Sequence, residues 1–218
     1  MFDDIFEVSD KLTAKYENGI ITVDNFYKNF EKLYSVLQNM AVPNWKLSST
    51  SRNFKDYYDC RPVILNGNAG ASTSNVPKND ATKRVFEIAT KLMEERLSRK
   101  GTIRDFNAEF NYFKHINLPK NNNMQFYPHY DSPIAAIIYL DKVCSGGTAL
   151  YHDLKAGEMK NLEHHNLMYD VSKLKKQIIP AKPNRLVIFP GGTMHGGYIE
   201  DHSKYLNDWR INQVMFFG

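Results

Sequence analysis

The sequence is short of most features that would take it out of the ordinary globular class. Its 218 residues include only two cysteines, Cys60 and Cys144, which form neither a CxxC pair nor a disulfide framework. Both are expected to be small, buried or half-buried residues of a reducing compartment. No apolar run approaches the ~18 residues that a spanning helix needs. The opening "MFDDIFEVSDKL" is acidic and lacks the basic-then-apolar order of a secretory leader. A cytoplasmic protein is therefore expected. Charge of one sign is also lacking: 28 Lys and Arg face 24 Asp and Glu, for a net charge of +4. That is a mild lysine excess, not a nucleic-acid footprint, and the densest basic stretch, "SKLKKQ" at 172–177, reads as a solvated face or loop. No internal repeat or low-complexity tract occurs.

What is present is enough apolar residue, 42% of the chain, to build one domain with a substantial core. The first hundred residues carry the helical signals. "GIITVDNF" (19–26) alternates as a strand. "FYKNFEKLYSVLQNM" (26–40) puts Phe30, Leu33, Val36 and Leu37 on one helical face. Ser, Asn and Gly then dominate up to residue 80, which predicts mostly loop. A helix follows over about 80–99, with Asp80 as N-cap, Val85, Ile88, Leu92 and Leu97 as its buried stripe, and Gly101 as its stop.

After Gly101 the pattern becomes a series of short β-rich runs at 106–116, 134–140, 148–151, 185–190 and 209–217, punctuated by Gly, Pro or Asn. No helical period alternates with them, so a doubly wound parallel sheet is excluded in favour of a sandwich or jelly roll with the N-terminal helices outside one sheet. The chain reads as one domain over 1–218: a helical support region with flanking strands at 1–105, and a jelly-roll core at 106–218. The polar segment 152–177 reads as an insertion over the mouth of the barrel, and its His152, His164 and His165 as loop histidines.

Within this frame "FYPHYDSPIAAIIYLD" (126–141) sets His129 and Asp131 directly before an apolar strand. A His-x-Asp pair alone is equally well two surface residues of a β protein. A third ligand candidate stands in "NRLVIFPGGTMHGGY", where His195 lies between two Gly-Gly pairs that let the backbone bend closely. Two imidazoles and one carboxylate on one face of an octahedral ion leave open positions, the pattern of non-haem Fe(II) oxygenases. In "WRINQVMFF" (209–217) an arginine enters an apolar strand, with Arg210, Asn212 and Val214 alternating onto one face. A buried guanidinium needs an anion, and that strand supplies none. A dicarboxylate would match its fork bidentately. Tyr139 could reach the same carboxylate, or be a core tyrosine with another partner. Tyr112 and Tyr127 could line the mouth or pack the barrel.

"PHYDSPIAAIIYLD", "SGGTALY", "RLVIFPGGTMHGG" and "WRINQVMFF", in that order, resemble the Fe(II)- and 2-oxoglutarate-dependent dioxygenases. The similarity is to the prolyl-4-hydroxylase-like branch, built on a double-stranded β-helix, and it covers about residues 107–217. The resemblance implies iron ligands at His129, Asp131 and His195. It implies that Arg210 pairs with the distal carboxylate of 2-oxoglutarate, with Tyr139 and Asn212 as further cosubstrate contacts. It also implies an O2-dependent hydroxylase whose substrate is a peptidyl proline, an amino acid or a small metabolite. Two departures stand out. "YIEDHSKYLND" lengthens the spacing from His195 to Arg210. Phe216 stands where the nucleic-acid dealkylases carry a second arginine, which argues against a nucleic-acid substrate. The competing classes are a non-catalytic jelly-roll binding module and a Zn-dependent cupin-type enzyme, neither of which needs Arg210.

Overall fold

A computed structural model describes residues 3–38, 45–47, 57–62, 80–98, 108–115, 118–131, 133–154 and 168–217. Two antiparallel sheets face one another. The major sheet has eight strands in the order β1-β2-β11-β7-β13-β5-β4-β3. These are β1 (Ala14–Glu17), β2 (Ile20–Val23), β3 (Trp45–Leu47), β4 (Tyr57–Pro62), β5 (Ala108–His115), β7 (Ile134–Tyr139), β11 (Arg185–Phe189) and β13 (Arg210–Phe217). The minor layer comprises β10 (Gln177–Pro180), β8 (Gly147–Leu150) and β12 (His195–Tyr198), beside a ribbon of β6 (Met124–Phe126) and β9 (Met168–Asp170). A single bridge between His129 and His195 joins the ribbon to β12. Together the layers form a jelly roll.

β7 and β11 are buried at every position because both faces of the major sheet are covered around them. That is why they read as continuous apolar runs instead of alternating ones. One face carries Ile134, Ala136, Ile138, Leu186, Ile188, Ile211, Met215 and Phe217 against the helices α1 (Phe30–Gln38) and α2 (Asp80–Leu97). The other carries Ala135, Ile137, Tyr139, Val187 and Phe189 toward Leu150 and Ile179 of the minor sheet, with Val214 and Phe216 beside them.

The helices lie where the periodicity puts them, with one change in the buried stripe. In α1, Leu33 and Leu37 are buried, with Phe30 and Val36 at the margin. In α2 the buried set is Val85, Phe86, Ala89, Leu92 and Met93, while Ile88 and Leu97 only flank it. The expected stop at Gly101 lies outside the described residues. The helix ends at Leu97, and Ser98 just past it is in the left-handed region with φ of 51°. The expected insertion also differs. In its described part, Val171 and Leu174 pack with Tyr151 and Met194, and β9 pairs with β6, so this end widens the minor layer. His164 and His165 lie outside the described residues; His152 is exposed and bonded to Gln177 (2.9 Å).

The N-terminal segment is tied to the barrel by polar groups. Asn184 accepts from the backbone N–H of Tyr27 and donates to its carbonyl, both at 2.8 Å. The Tyr27 hydroxyl donates to Gln213 in the centre of the sheet. No helix among the described residues is long and apolar enough to cross a membrane.

Phe86 of α2 stacks on Phe217 of β13 with ring centroids 4.7 Å apart. Phe86→Ala is expected to cost about 3–5 kcal/mol, read as a lowered urea midpoint with an unchanged slope. A loss below about 1 kcal/mol would mean that α2 is not part of the core.

Candidate metal centre

Backbone pairing brings the two histidines together. The N–H of His129 donates to the carbonyl of His195 (2.9 Å), and the N–H of His195 returns a bond to the carbonyl of His129 (2.8 Å). A directly opposed antiparallel pair presents both side chains on the same side, and the ring centroids are 4.8 Å apart. Asp131 is fixed by its own N–H on the carbonyl of Gly191 (3.2 Å). Ligand atoms of His129, Asp131 and His195 lie within 4.8 Å of one another.

The ring nitrogens show what the cluster can hold. Nδ1 of His129 is 3.0 Å from the carbonyl of Tyr127, and Nδ1 of His195 is 2.8 Å from the carbonyl of Thr193. A carbonyl only accepts, so each Nδ1 carries a proton, and Nε2 is the ring atom left to face a ligand. Nε2 of His195 then faces Oδ2 of Asp131 at 3.0 Å, and Nε2 of His129 faces it at 3.8 Å. An Nε2 proton on His195 would bond this carboxylate, and a metal in its place would take both Nε2 lone pairs and the carboxylate together. Nδ1–H on a backbone carbonyl is also how metal-binding histidines are usually oriented. The 3.0 Å edge matches the spacing of about 3.0 Å between neighbouring octahedral ligands at bonds of ~2.1 Å; the 3.8 Å edge is wider. The residues therefore fit a divalent metal.

Exposure is graded across the site. The side chain of His195 is 5% exposed and edge-on to Phe189, whereas those of His129 and Asp131 are 35% and 27% exposed. The exposed Tyr127 ring lies 5.2 Å from that of His129, and Tyr130, the next residue in sequence after His129, is exposed as well. The side chain of Tyr112 lies outside the described residues.

Arg210 is 6% exposed and stands on the same face of β13 as Val214 and Phe216, which line the barrel. Its Nη2 donates weakly to the carbonyl of Gly147 (3.3 Å). With the Asn212 amide turned so that both of its groups are satisfied, its oxygen accepts from Nη1 at 2.8 Å. No ion pair to Arg210 occurs among the described residues. Gly197 of β12 makes room for the guanidinium, since a Cβ there would lie 3.3 Å from Nη1. At Gly192, by contrast, a Cβ would meet nothing within 4 Å. Gly196 and Gly197 thus meet the close approach expected of them, whereas Gly192 does not need it. Tyr139 is fully buried beside this group, but its hydroxyl is bonded to Thr148 Oγ1 (2.8 Å). Burial raises its pKa to about 12.

Sequence reasoning missed Asp141. β13 carries no acid, yet Asp141 lies just past the end of β7, buried and close enough for Arg210 to act on its ionisation. Counting the cross-strand register onward from Tyr139 would have found it. Gln125 and His202 were missed as well. Gln125 Oε1 accepts from Ile199 N–H and its Nε2 donates to Ile199 C=O, both at 2.7 Å. This ties β6 to the end of β12, so the two strands leading to and from the histidines are held together.

A solved structure from Burkholderia pseudomallei, an oxidoreductase of the 2OG-Fe(II) oxygenase family, superposes with a TM-score of 0.50 at 10% identity, over 93% of this chain and 85% of that one. The chain has the fold of a 2OG-Fe(II) oxygenase. Lower-scoring likenesses are a Pseudomonas putida prolyl-4-hydroxylase (TM-score 0.48, 12% identity, 91% of both chains) and HygX of Streptomyces hygroscopicus, solved with nickel and 2-oxoglutarate (0.45, 11%, 92% and 82%). By sequence, no family model and no curated protein matches.

His202 gives this clamp a pH dependence. Its Nε2 lies 3.2 Å from the Gln125 amide nitrogen, whose two hydrogens go to the carbonyls of Asn122 and Ile199 (2.7 Å each), so a proton on this Nε2 would face a nitrogen that cannot accept it. Burial holds its pKa below the usual value of 6.5. The stabilisation is therefore complete above pH 6.5 and is lost as pH falls through the folded-state value. The melting temperature is expected to fall between pH 7 and 5 more steeply in the wild type than in His202→Asn. Parallel curves would show that His202 is not linked to folding.

Proposed function

We propose that this protein is an Fe(II)- and 2-oxoglutarate-dependent oxygenase that hydroxylates a peptide or a small molecule. The observation that carries the reading is the pairing of the triad with a buried arginine that makes no ion pair among the described residues. His129 and His195 would hold iron through Nε2 and Asp131 through its carboxylate, leaving the remaining positions for cosubstrate and O2. Iron with 2-oxoglutarate and O2 supplies the oxidising power needed to attack an unactivated C–H bond.

The chain's own residues bind and orient. Arg210 offers a planar fork to the far carboxylate of 2-oxoglutarate, with one of its amino groups steadied by Asn212. His195 and Gly197 share a face of β12, two residues and about 6.6 Å apart along the strand. A five-carbon dicarboxylate is the right length class to span from the triad to the guanidinium beside Gly197. Phe189 and Val214 supply apolar wall, while the more exposed His129 and Asp131 side faces the entering substrate. A zinc site in a cupin-type enzyme, or a binding module, would give Arg210 no such task.

Asp131→Ala is expected to abolish metal retention after dialysis while the melting curve of the metal-free protein stays in place. Full metal retention would remove Asp131 from the ligand set. Arg210→Lys keeps the charge but loses the fork. It should weaken 2-oxoglutarate binding by about 1.5–3 kcal/mol with metal affinity unchanged, measured by calorimetry at saturating Mn(II). An unchanged constant would take the cosubstrate away from Arg210.

A further inference from the structure

A buried acid beside Arg210 has no part in the metal centre. Asp141 is 2% exposed. Its Oδ2 accepts from the Cys144 N–H (2.8 Å) and the Tyr205 hydroxyl (2.9 Å). The same hydroxyl accepts from the Ser145 N–H (2.9 Å), and Ser145 Oγ accepts from the Asp201 N–H (2.8 Å). Tyr205 belongs to a 3-10 turn, His202–Tyr205, in the long spacer between His195 and Arg210. The spacer is thus fastened to the turn that follows β7 through a buried network. Gly146 in that turn has φ of +87°, and a Cβ there would lie 2.2 Å from the carbonyl of Tyr198.

Register places this network against the guanidinium. Asn212 lies opposite Tyr139, and Leu140 N–H donates to Ile211 C=O at 2.8 Å. One step further, Arg210 lies opposite Asp141, and by alternation both share the inner face with Tyr139 and Asn212. They make no ion pair: Asp141 Oδ2 is turned to Tyr205 and Cys144, and the guanidinium to Gly147 and Asn212. When Asp141 is ionised, its charge and that of Arg210 act on each other through a water-poor interior without direct contact. A carboxylate arriving at Arg210 would make two anions share one cation, and such pairs resist joint ionisation.

We propose that Asp141 takes up a proton when a dicarboxylate binds at Arg210, and that Tyr205 sets the pH range of this uptake. The proposal rests on the cosubstrate reading of Arg210. Oδ1 takes the proton from solvent, since Oδ2 already accepts two bonds. The other ionisable groups around Asp141 are the Cys144 thiol of its own turn, the Tyr205 hydroxyl of the 3-10 turn, Tyr139 of β7 and, further out, Tyr34 of α1. Burial pushes all four upward, so none exchanges a proton near pH 7. Lys142 is engaged with Glu31, and Arg185 is bonded to Asp24. Burial also raises Asp141 itself, against the pull of Arg210. A bound carboxylate offsets that pull and completes the shift.

The test is calorimetric titration of 2-oxoglutarate into the full chain at saturating Mn(II), at pH 6, 7 and 8, in buffers of different ionisation enthalpy. In the wild type, uptake of up to one proton is expected, with affinity tightening up to about tenfold per pH unit as pH falls. Asp141→Asn should bind without this uptake and with a flat pH dependence. Tyr205→Phe removes a donor that favours the ionised form, so it should keep the uptake but move it to higher pH. Should Asp141→Asn fail to fold, the wild-type heats and the Tyr205→Phe shift decide. Buffer-independent heats in the wild type, or unchanged uptake in Asp141→Asn, overturn the proposal while leaving 2-oxoglutarate at Arg210. If 2-oxoglutarate does not bind the wild type at all, the cosubstrate reading falls and this proposal with it.

Discussion

Two reciprocal backbone hydrogen bonds between His129 and His195 are the join on which the rest of the metal centre depends. They are the bridge by which the β6–β9 ribbon meets β12, and they hold both imidazoles on one side of that seam. The carbonyls two residues before each histidine then fix the rotation of its ring. Asp131 is brought in by a main-chain bond to the turn just before His195. Side-chain geometry at the site thus follows from main-chain pairing, which few substitutions can disturb. The Gln125 amide, bonded to both backbone groups of Ile199, guards the same seam from the other end.

The parts of the fold legible in the sequence are those whose burial leaves a mark on composition. β5, β7, β8, β11 and β13 lie within the expected runs to a residue or two; for β7, β8, β11 and most of β13 the reason is that a run of apolar side chains is stable where both of its faces are covered. β1, β3, β6, β9, β10 and β12 are only three or four residues long, and β4 lies in a region whose composition reads as loop. Their existence is decided by the partner strand and not by local propensity. β12 is the sharpest case: in "HGGY" Gly196 lies against the backbone carbonyls of Phe126 and Tyr127, and Gly197 admits the Phe126 and Arg210 side chains. In α2 the buried stripe keeps the expected Val85 and Leu92 but takes in Phe86, Ala89 and Met93 ahead of Ile88 and Leu97, since Phe86 and Met93 are as apolar and only the shape of the sheet below chooses between them.

At the site, residue type and spacing point to the triad and Arg210, whereas their surroundings leave no such mark. Asp141 becomes visible only through register across two strands distant in sequence. The unusual length of "YIEDHSKYLND" is explained by Tyr205, which reaches back to the turn after β7. A spacer of ordinary length would leave Asp141 without that hydroxyl.

The place of β13 has a consequence for how the chain acquires its structure. It is the last strand in sequence order, yet it pairs with β7 on one side and β5 on the other, near the middle of the major sheet. Until it arrives, β7, an apolar strand buried at every position in the native fold, has one edge unsatisfied and β5 lacks its partner on that side, the kind of surface that invites mispairing with other chains. The contacts that close this gap are non-local; Tyr27 and Gln213 meet across 186 residues. Such topologies reach the native state slowly, on the millisecond-to-second scale. The barrel is therefore most vulnerable to aggregation in the interval before its central lane is filled.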